Sequence, residues 1–188
     1  MKVQQAIEQR RAYRSLDPVE ITPELVQDLA ESARLAPSCF NNQPWRFVFV
    51  YDPGTLQDMH TALSRGNEWA RAASLIVAVF SQQELDCQIK GRDYYLFDTG
   101  MATAFLILRA TEMGLVAHPI AGYDEERVKE ILGIPREMTV ITLVIVGRHS
   151  AEISPVLSEK QVAWEKARPE RLPLEKFAFV NAYHPVQG

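Results

Sequence analysis

The sequence has little cysteine, with only Cys39 and Cys87 among 188 residues. Two cysteines supply neither the disulfide framework of a small secreted protein nor the ligand set of a structural zinc site. We therefore expect reduced thiols and a protein of the cytoplasm.

Long apolar runs and an excess of positive charge are also missing. The longest uncharged stretches, such as residues 72–83, reach about a dozen residues, which is too short for a membrane-spanning helix. The first residues carry several charges, among them Lys2 and Arg10, so we expect no signal peptide. Lys and Arg total 20 against 24 Asp and Glu, a net charge of −4, which argues against binding nucleic acid or an anionic membrane.

Several common active-site patterns are absent as well. The nine glycines form neither the Gly-rich dinucleotide motif nor a P-loop. The four histidines show no metal-ligand spacing with each other or with cysteine, so no metal site is expected. A nucleophilic pair of Cys39 and His118, as in a cysteine-dependent hydrolase, stays open, although no motif supports it.

What is present predicts one α+β domain, because helical and strand patterns mix without strict alternation. Hydrophobic residues make up 47% of the chain, enough for a core of ordinary size. The predicted helices cover residues 2–13, 23–36, 54–65, 94–113, 124–132 and 156–167. The predicted strands cover residues 45–51, 75–80, 116–120 and 138–146.

Two segments carry predictions about packing. Residues 75–80 are apolar throughout, which is typical of a strand covered on both faces. Residues 94–113 are apolar almost all round, so we expect a central, buried helix.

Residues 150–188 hold four of the eleven prolines, and their apolar residues show no sustained helical or strand period. We therefore divide the chain into a core, residues 1–149, and an extension, residues 150–188, that lies on another surface.

Three polar segments are candidates for a binding site. The first holds Arg10 and Arg14, which on a helix would share a face and could grip a phosphate. The second, residues 36–45, places short hydrogen-bonding side chains between two prolines. The third, residues 118–124, puts a glycine between a strand and a helix, where a ligand can approach the backbone. Taken singly, each segment is also explained as an exposed helix end or an ordinary turn.

Taken together, the segments resemble the FMN-dependent nitroreductase family over nearly the whole chain. The resemblance rests on motifs in a fixed order: R-R-x-x-R from Arg10, A-P-S-x-x-N-x-Q-P-W from Ala36, Gly66-Asn67 with Trp69-Ala70, P-I-A-G-Y-D from Pro119, Leu132 to Pro135, and Arg171 to Leu174. It implies a nitroreductase-like fold: a central mixed β-sheet flanked by helices, with the C-terminal extension exchanged in a homodimer that shares its active sites.

The resemblance also implies how FMN is bound. Arg10 and Arg171 would hold the phosphate beside Ala12, and Arg14 would lie near the N1–O2 edge of the ring. The residues implied at the cofactor are Arg10, Arg11, Ala12, Arg14, Pro37, Ser38, Cys39, Asn41, Asn67, Pro119, Ala121, Gly122 and Arg171. Of these, Pro37 to Asn41 would contact the flavin of the partner subunit, and the Gly122 N–H would point at N5.

The implied activity is an NAD(P)H-dependent oxidoreductase. Hydride would pass from NADH or NADPH to flavin N5 and then, in a ping-pong scheme, to a nitroaromatic, a quinone or another flavin. No catalytic side chain is needed beyond the support of Arg14 and Gly122. Two alternatives stay open: an FMN-binding storage or sensor protein, and a flavin-dependent dehalogenase or oxidase. Four positions depart from common family residues: Ala12, Cys39, Ala70 and Pro169.

Overall fold

A computed structural model describes residues 1–184. The helices are α1 (Val3–Gln9), α2 (Pro23–Arg34), α3 (Pro53–Met59), α4 (Tyr95–Glu112), α5 (Glu125–Leu132) and α6 (Glu159–Lys166). The strands are β1 (Leu16–Asp17), β2 (Arg46–Val50), β3 (Leu75–Ser81), β4 (Gln88–Ile89), β5 (Arg92–Asp93), β6 (Val116–Ile120) and β7 (Thr139–His149). The α+β class predicted from the sequence is confirmed.

One five-stranded sheet forms the centre of the fold. Its order is β1-β7-β3-β2, and β6 also pairs with β7. Every strand pair in the described part of the chain is antiparallel, so the parallel pair that a mixed sheet requires is not found within one subunit. A separate two-stranded hairpin, β4-β5, lies in the segment between β3 and α4.

The β3 strand divides the core into two halves. All seven of its residues are buried, and alternate side chains enter different hydrophobic clusters. Ile76 packs with the cluster on one side, whereas Val77 packs with the cluster on the other side, against Leu106 of α4. The prediction of a strand covered on both faces is therefore confirmed.

The long α4 helix is buried on one side only. Ala102 and Leu106 are inaccessible to solvent, whereas Leu96, Phe97 and Phe105 are 47%, 62% and 41% exposed. The expected full burial of this helix is therefore not reached within one subunit. None of the helices in residues 1–184 combines the length and hydropathy needed to span a membrane.

The first helix is shorter than predicted. It ends at Gln9, and Arg10 to Ser15 form an irregular segment that leads into β1. The prediction that Arg10 and Arg14 share a helical face is therefore wrong. The physical reason is a tertiary contact: Glu165 accepts hydrogen bonds from the backbone N–H groups of Arg14 and Ser15, which a continued helix would have used internally.

The two cysteines are also not as expected. Cys39 and Cys87 form a disulfide, so the prediction of two reduced thiols is wrong for this structure. The cysteines are 48 positions apart, and the fold brings the loop before β2 against the segment before β4. Sequence spacing alone could not indicate this pairing, because it depends on the packing of both segments.

The C-terminal residues fall into two parts. Residues 150–168 contact their own chain: Ser154 N–H donates to Ser15 Oγ, and Arg168 donates to the carbonyl of Arg10. Beyond them the chain is exposed, with large apolar side chains facing solvent at Leu172, Leu174, Phe177, Val180 and Tyr183. The exchange of residues 150–188 between subunits stays a prediction, and exposed apolar side chains lie in both parts, such as Val156 and Phe177.

Candidate cofactor site

The structure brings five of the predicted cofactor residues to one cavity of about 190 Å³. The residues that line it are Arg10, Arg11, Ala12, Arg14, Trp164, Arg168, Pro169 and Arg171. They come from the irregular segment after α1 and from the chain at and after the end of α6. Five arginines around one cavity form a site for a strongly charged anion.

The electrostatics of this cavity also favour an anion. Burial lowers the pKa of the Arg10 guanidinium, and the positive charges of Arg168 and Arg171 lower it further. Like charges held this close repel one another, and a bound phosphate dianion would offset that repulsion. The donor set therefore fits the phosphate of FMN.

Arg14 lies close to two aromatic rings. The centre of its guanidinium is 5.8 Å from the Trp69 ring and 5.3 Å from the Trp164 ring, both within the range of cation–π attraction. Burial lowers the Arg14 pKa, and the nearby carboxylate of Glu165 opposes that shift. These contacts restrict the guanidinium to a small region beside the cavity.

Arg11 has a different role from its neighbours. Its Nη2 donates to the carbonyl of Trp164 at 2.7 Å and to that of Glu165 at 3.1 Å, and its Nη1 donates to the Tyr13 hydroxyl. These carbonyls belong to the last turn of α6, where a cation is favoured. Although Arg11 lines the cavity, its guanidinium donors are already bonded to Tyr13 and to the end of α6.

A buried histidine lies behind this segment. The ring of His118 stacks on Trp69 at 4.7 Å, and its Nδ1 is 3.0 Å from the carbonyl oxygen of Tyr13. Burial lowers the His118 pKa to about 4, and the charges of Arg14 and Arg10 act in the same direction. His118 is therefore a neutral support of the segment, and it is not paired with Cys39, whose sulfur is in the disulfide.

Two of the predicted cofactor residues, Asn67 and Gly122, contact each other. Asn67 donates its Nδ2–H to the carbonyl of Gly122 at 2.9 Å, and the Ser64 N–H donates to the same carbonyl at 3.1 Å. A Cβ on Gly122 would overlap Asn67 Nδ2, so this approach requires glycine. Pro119, near the end of β6, and Ala121, on the turn, are exposed.

The loop of Pro37, Ser38, Cys39 and Asn41 lies elsewhere, since none of these residues lines the arginine cavity. Its backbone is strained, with positive φ angles at Phe40 and Asn41. The Cys39 N–H donates to the buried carboxylate of Asp98 at 2.6 Å. Burial raises the pKa of Asp98, and the neighbouring Asp86 raises it further.

Two residues of α6 at this site were not predicted from the sequence. Trp164 lines the cavity, and Glu165 holds the segment that forms one wall of it. Both lie on α6, whose polar, weakly periodic sequence gave no indication of a role beyond a short helix. The signal that could have found them is an aromatic residue beside an acidic one, close before the Arg168 to Arg171 pair.

Comparison with known proteins decides the family. The sequence model described as the nitroreductase family matches residues 7–67 and 52–148, more than half of the chain. The chain belongs to the nitroreductase family. It is thus an oxidoreductase of the nitroreductase type, and the recognition from sequence motifs is confirmed.

Individual members of the nitroreductase family agree with this assignment. An Archaeoglobus fulgidus protein provisionally named NADH dehydrogenase/NAD(P)H nitroreductase is 30% identical over 172 residues, covering 89% of this chain and 94% of its own. A Thermus thermophilus protein named NADH dehydrogenase is 29% identical, covering 88% of each chain. A solved structure described as an oxidoreductase containing FMN superimposes with a TM-score of 0.84 at 26% identity, covering 98% of this chain and 94% of its own.

Proposed function

We propose that this nitroreductase-family protein uses FMN to pass hydride equivalents from NADH or NADPH to electron-poor acceptors in the cytoplasm. The acceptors are nitroaromatics, quinones or free flavins. The observation that carries the proposal is the arginine cavity, whose charge suits a phosphate and whose residues match the family motif. Bound FMN supplies the chemistry by accepting and returning a hydride.

The protein's own residues bind and orient the cofactor. Arg10 and Arg171, with Arg168, supply the charge that holds the phosphate. Arg14, which contacts two tryptophan rings, supplies a positive charge that favours the negative charge gained on reduction. The Asn67 bond to Gly122 fixes the turn whose backbone N–H is proposed to face the ring.

We further propose a homodimer with shared active sites. The cavity of about 190 Å³ is smaller than the roughly 300–1,000 Å³ of pockets that enclose a whole cofactor. The loop from Pro37 to Asn41 is not part of it, which is compatible with that loop serving the partner's site. Exposed apolar side chains on α4, such as Phe97, and on the tail, such as Phe177, offer the surfaces that a large interface would bury.

Absorbance of the purified protein tests the proposed function. We expect a yellow protein with one FMN per subunit and a flavin band that NADH or NADPH bleaches without oxygen. Reoxidation by a quinone or a nitroaromatic should then restore the band. A colourless protein that takes up no added FMN contradicts the proposal, whereas a flavin that neither nucleotide reduces favours a storage or sensor protein.

A further inference from the structure

Glu165 is a buried carboxylate beside the arginine cavity that does not line it. Its side chain is only 3% exposed, although it lies near several cationic groups. An acidic side chain is rarely buried this fully unless its oxygens are paired. The hydrogen-bond partners of the Glu165 carboxylate therefore indicate its role.

Both carboxylate oxygens of Glu165 are bonded to the backbone of the arginine segment. Oε1 accepts from the Arg14 N–H at 2.7 Å, and Oε2 accepts from the Ser15 N–H at 3.2 Å. Oε2 also lies 3.9 Å from His149 Nε2. A single side chain thus satisfies two consecutive backbone donors that no helix or strand of this segment pairs.

Arginine side chains also connect the arginine segment with the end of α6. Arg11 donates to the main-chain carbonyls of Trp164 and Glu165, and Arg168 donates to the carbonyl of Arg10 at 2.9 Å. The arginine segment and the end of α6 therefore hold each other through bonds that involve a charged group on one side. Such bonds are stronger than neutral ones and fix geometry more tightly.

The position of the negative charge matters as much as the bonds. Arg14 lines the cavity, and the Glu165 charge opposes the lowering of the Arg14 pKa by burial, so the two groups attract each other. Glu165 does not line the cavity, so its charge acts on Arg14 without occupying the space of an anion.

We propose that Glu165 is a positioning residue for the FMN phosphate site: it pre-forms the Arg10–Ser15 segment through its two backbone bonds. This inference rests on the proposed function, since the cofactor is the one proposed there. Glu165 touches no part of the cofactor and acts through the segment that does.

The test compares Glu165→Gln with Glu159→Gln, a matched loss of charge at an exposed position of the same helix. Glutamine keeps the shape but can accept only one of the two N–H bonds. FMN and riboflavin, which lacks the phosphate, are each titrated by fluorescence. We expect Glu165→Gln to raise the Kd for FMN at least about tenfold, with a much smaller change for riboflavin, and Glu159→Gln to change neither.

Equal losses for FMN and riboflavin, or unchanged FMN affinity with a lower Tm, would show that Glu165 has only a structural role. A second measurement covers a variant that fails to fold: amide hydrogen exchange of the wild-type protein without FMN. Slow exchange at Arg14 and Ser15 supports a pre-formed segment, and fast exchange overturns it. Wild-type protein that binds neither flavin instead contradicts the proposed function, and the exchange rates still decide whether Glu165 orders the segment.

Discussion

His118 donates its Nδ1–H to the carbonyl oxygen of Tyr13 across 3.0 Å. A carbonyl only accepts, so this bond fixes the tautomer of the buried ring. The ring thus supports the arginine segment in its neutral form.

The first prediction concerns the pH dependence of stability. The folded pKa of His118, about 4, is below its unfolded value of 6.5, so the unfolded chain binds the proton more readily. The contribution of neutral His118 to stability is therefore fully present above about pH 6.5 and is lost as the pH falls towards 4. Between pH 7 and pH 5 we expect a loss of about 2 kcal/mol in the free energy of unfolding, measured in urea. His118→Asn keeps a donor without titrating, and an equal loss in that variant would contradict the assignment.

The second prediction separates the arginines of the cavity. Arg10→Ala and Arg171→Ala should each weaken FMN binding roughly 10- to 150-fold, because each removes a charge-assisted bond to the phosphate. Arg11→Ala should weaken it less and lower the Tm instead, since Arg11 is bonded to the end of α6. The control is Arg34→Ala, an exposed ion pair on α2. Unchanged affinity in both of the first two variants would show that the phosphate lies elsewhere.

The third prediction concerns the contact between Asn67 and Gly122. In Gly122→Ala, the new Cβ would displace the Asn67 amide and break its bond to the Gly122 carbonyl. We expect Gly122→Ala and Asn67→Ala to weaken flavin binding to similar extents, because both release the same turn. The double variant should then be no weaker than the weaker single variant. Additive losses in a double-mutant cycle would mean that the two residues act independently.

The fourth prediction concerns the disulfide between Cys39 and Cys87. Protein prepared without reductant should show no free thiol when it is denatured. Closing a loop of 48 residues restricts the unfolded chain, so the double variant Cys39→Ser/Cys87→Ser should be less stable by up to about 4 kcal/mol in urea. Reduced wild-type protein is the matched control and should unfold like the variant. Two free thiols in the untreated protein would contradict the prediction.

The fifth prediction concerns assembly. A chain that stops at Pro173 keeps α6, Arg168 and Arg171 but loses the exposed apolar tail. We expect its mass in solution to fall from dimer to monomer and its FMN affinity to fall with it, since we propose that both subunits form each site. A chain that stops at His184 is the control and should remain a dimer. A folded monomer with unchanged FMN affinity would refute the shared site.

The sequence predicted the elements that depend on nearby residues. The apolar run of β3 and the helix over residues 124–132 are local patterns, and both were predicted correctly. The conformation of Arg10 to Ser15 was predicted wrongly, because its hydrogen bonds come from a side chain 151 positions away. The family motifs still named five of the eight residues that line the cavity, since a motif can show which residues lie together without showing how the backbone brings them there.

The pairing of Arg14 with Glu165 also orders events during synthesis. A ribosome that adds roughly 5–20 residues per second makes Glu165 roughly 8–30 s after Arg14. During that interval the nascent arginine segment lacks the carboxylate and carbonyls that give it its shape. We therefore expect FMN to bind the shaped arginine segment only after α6 has been made.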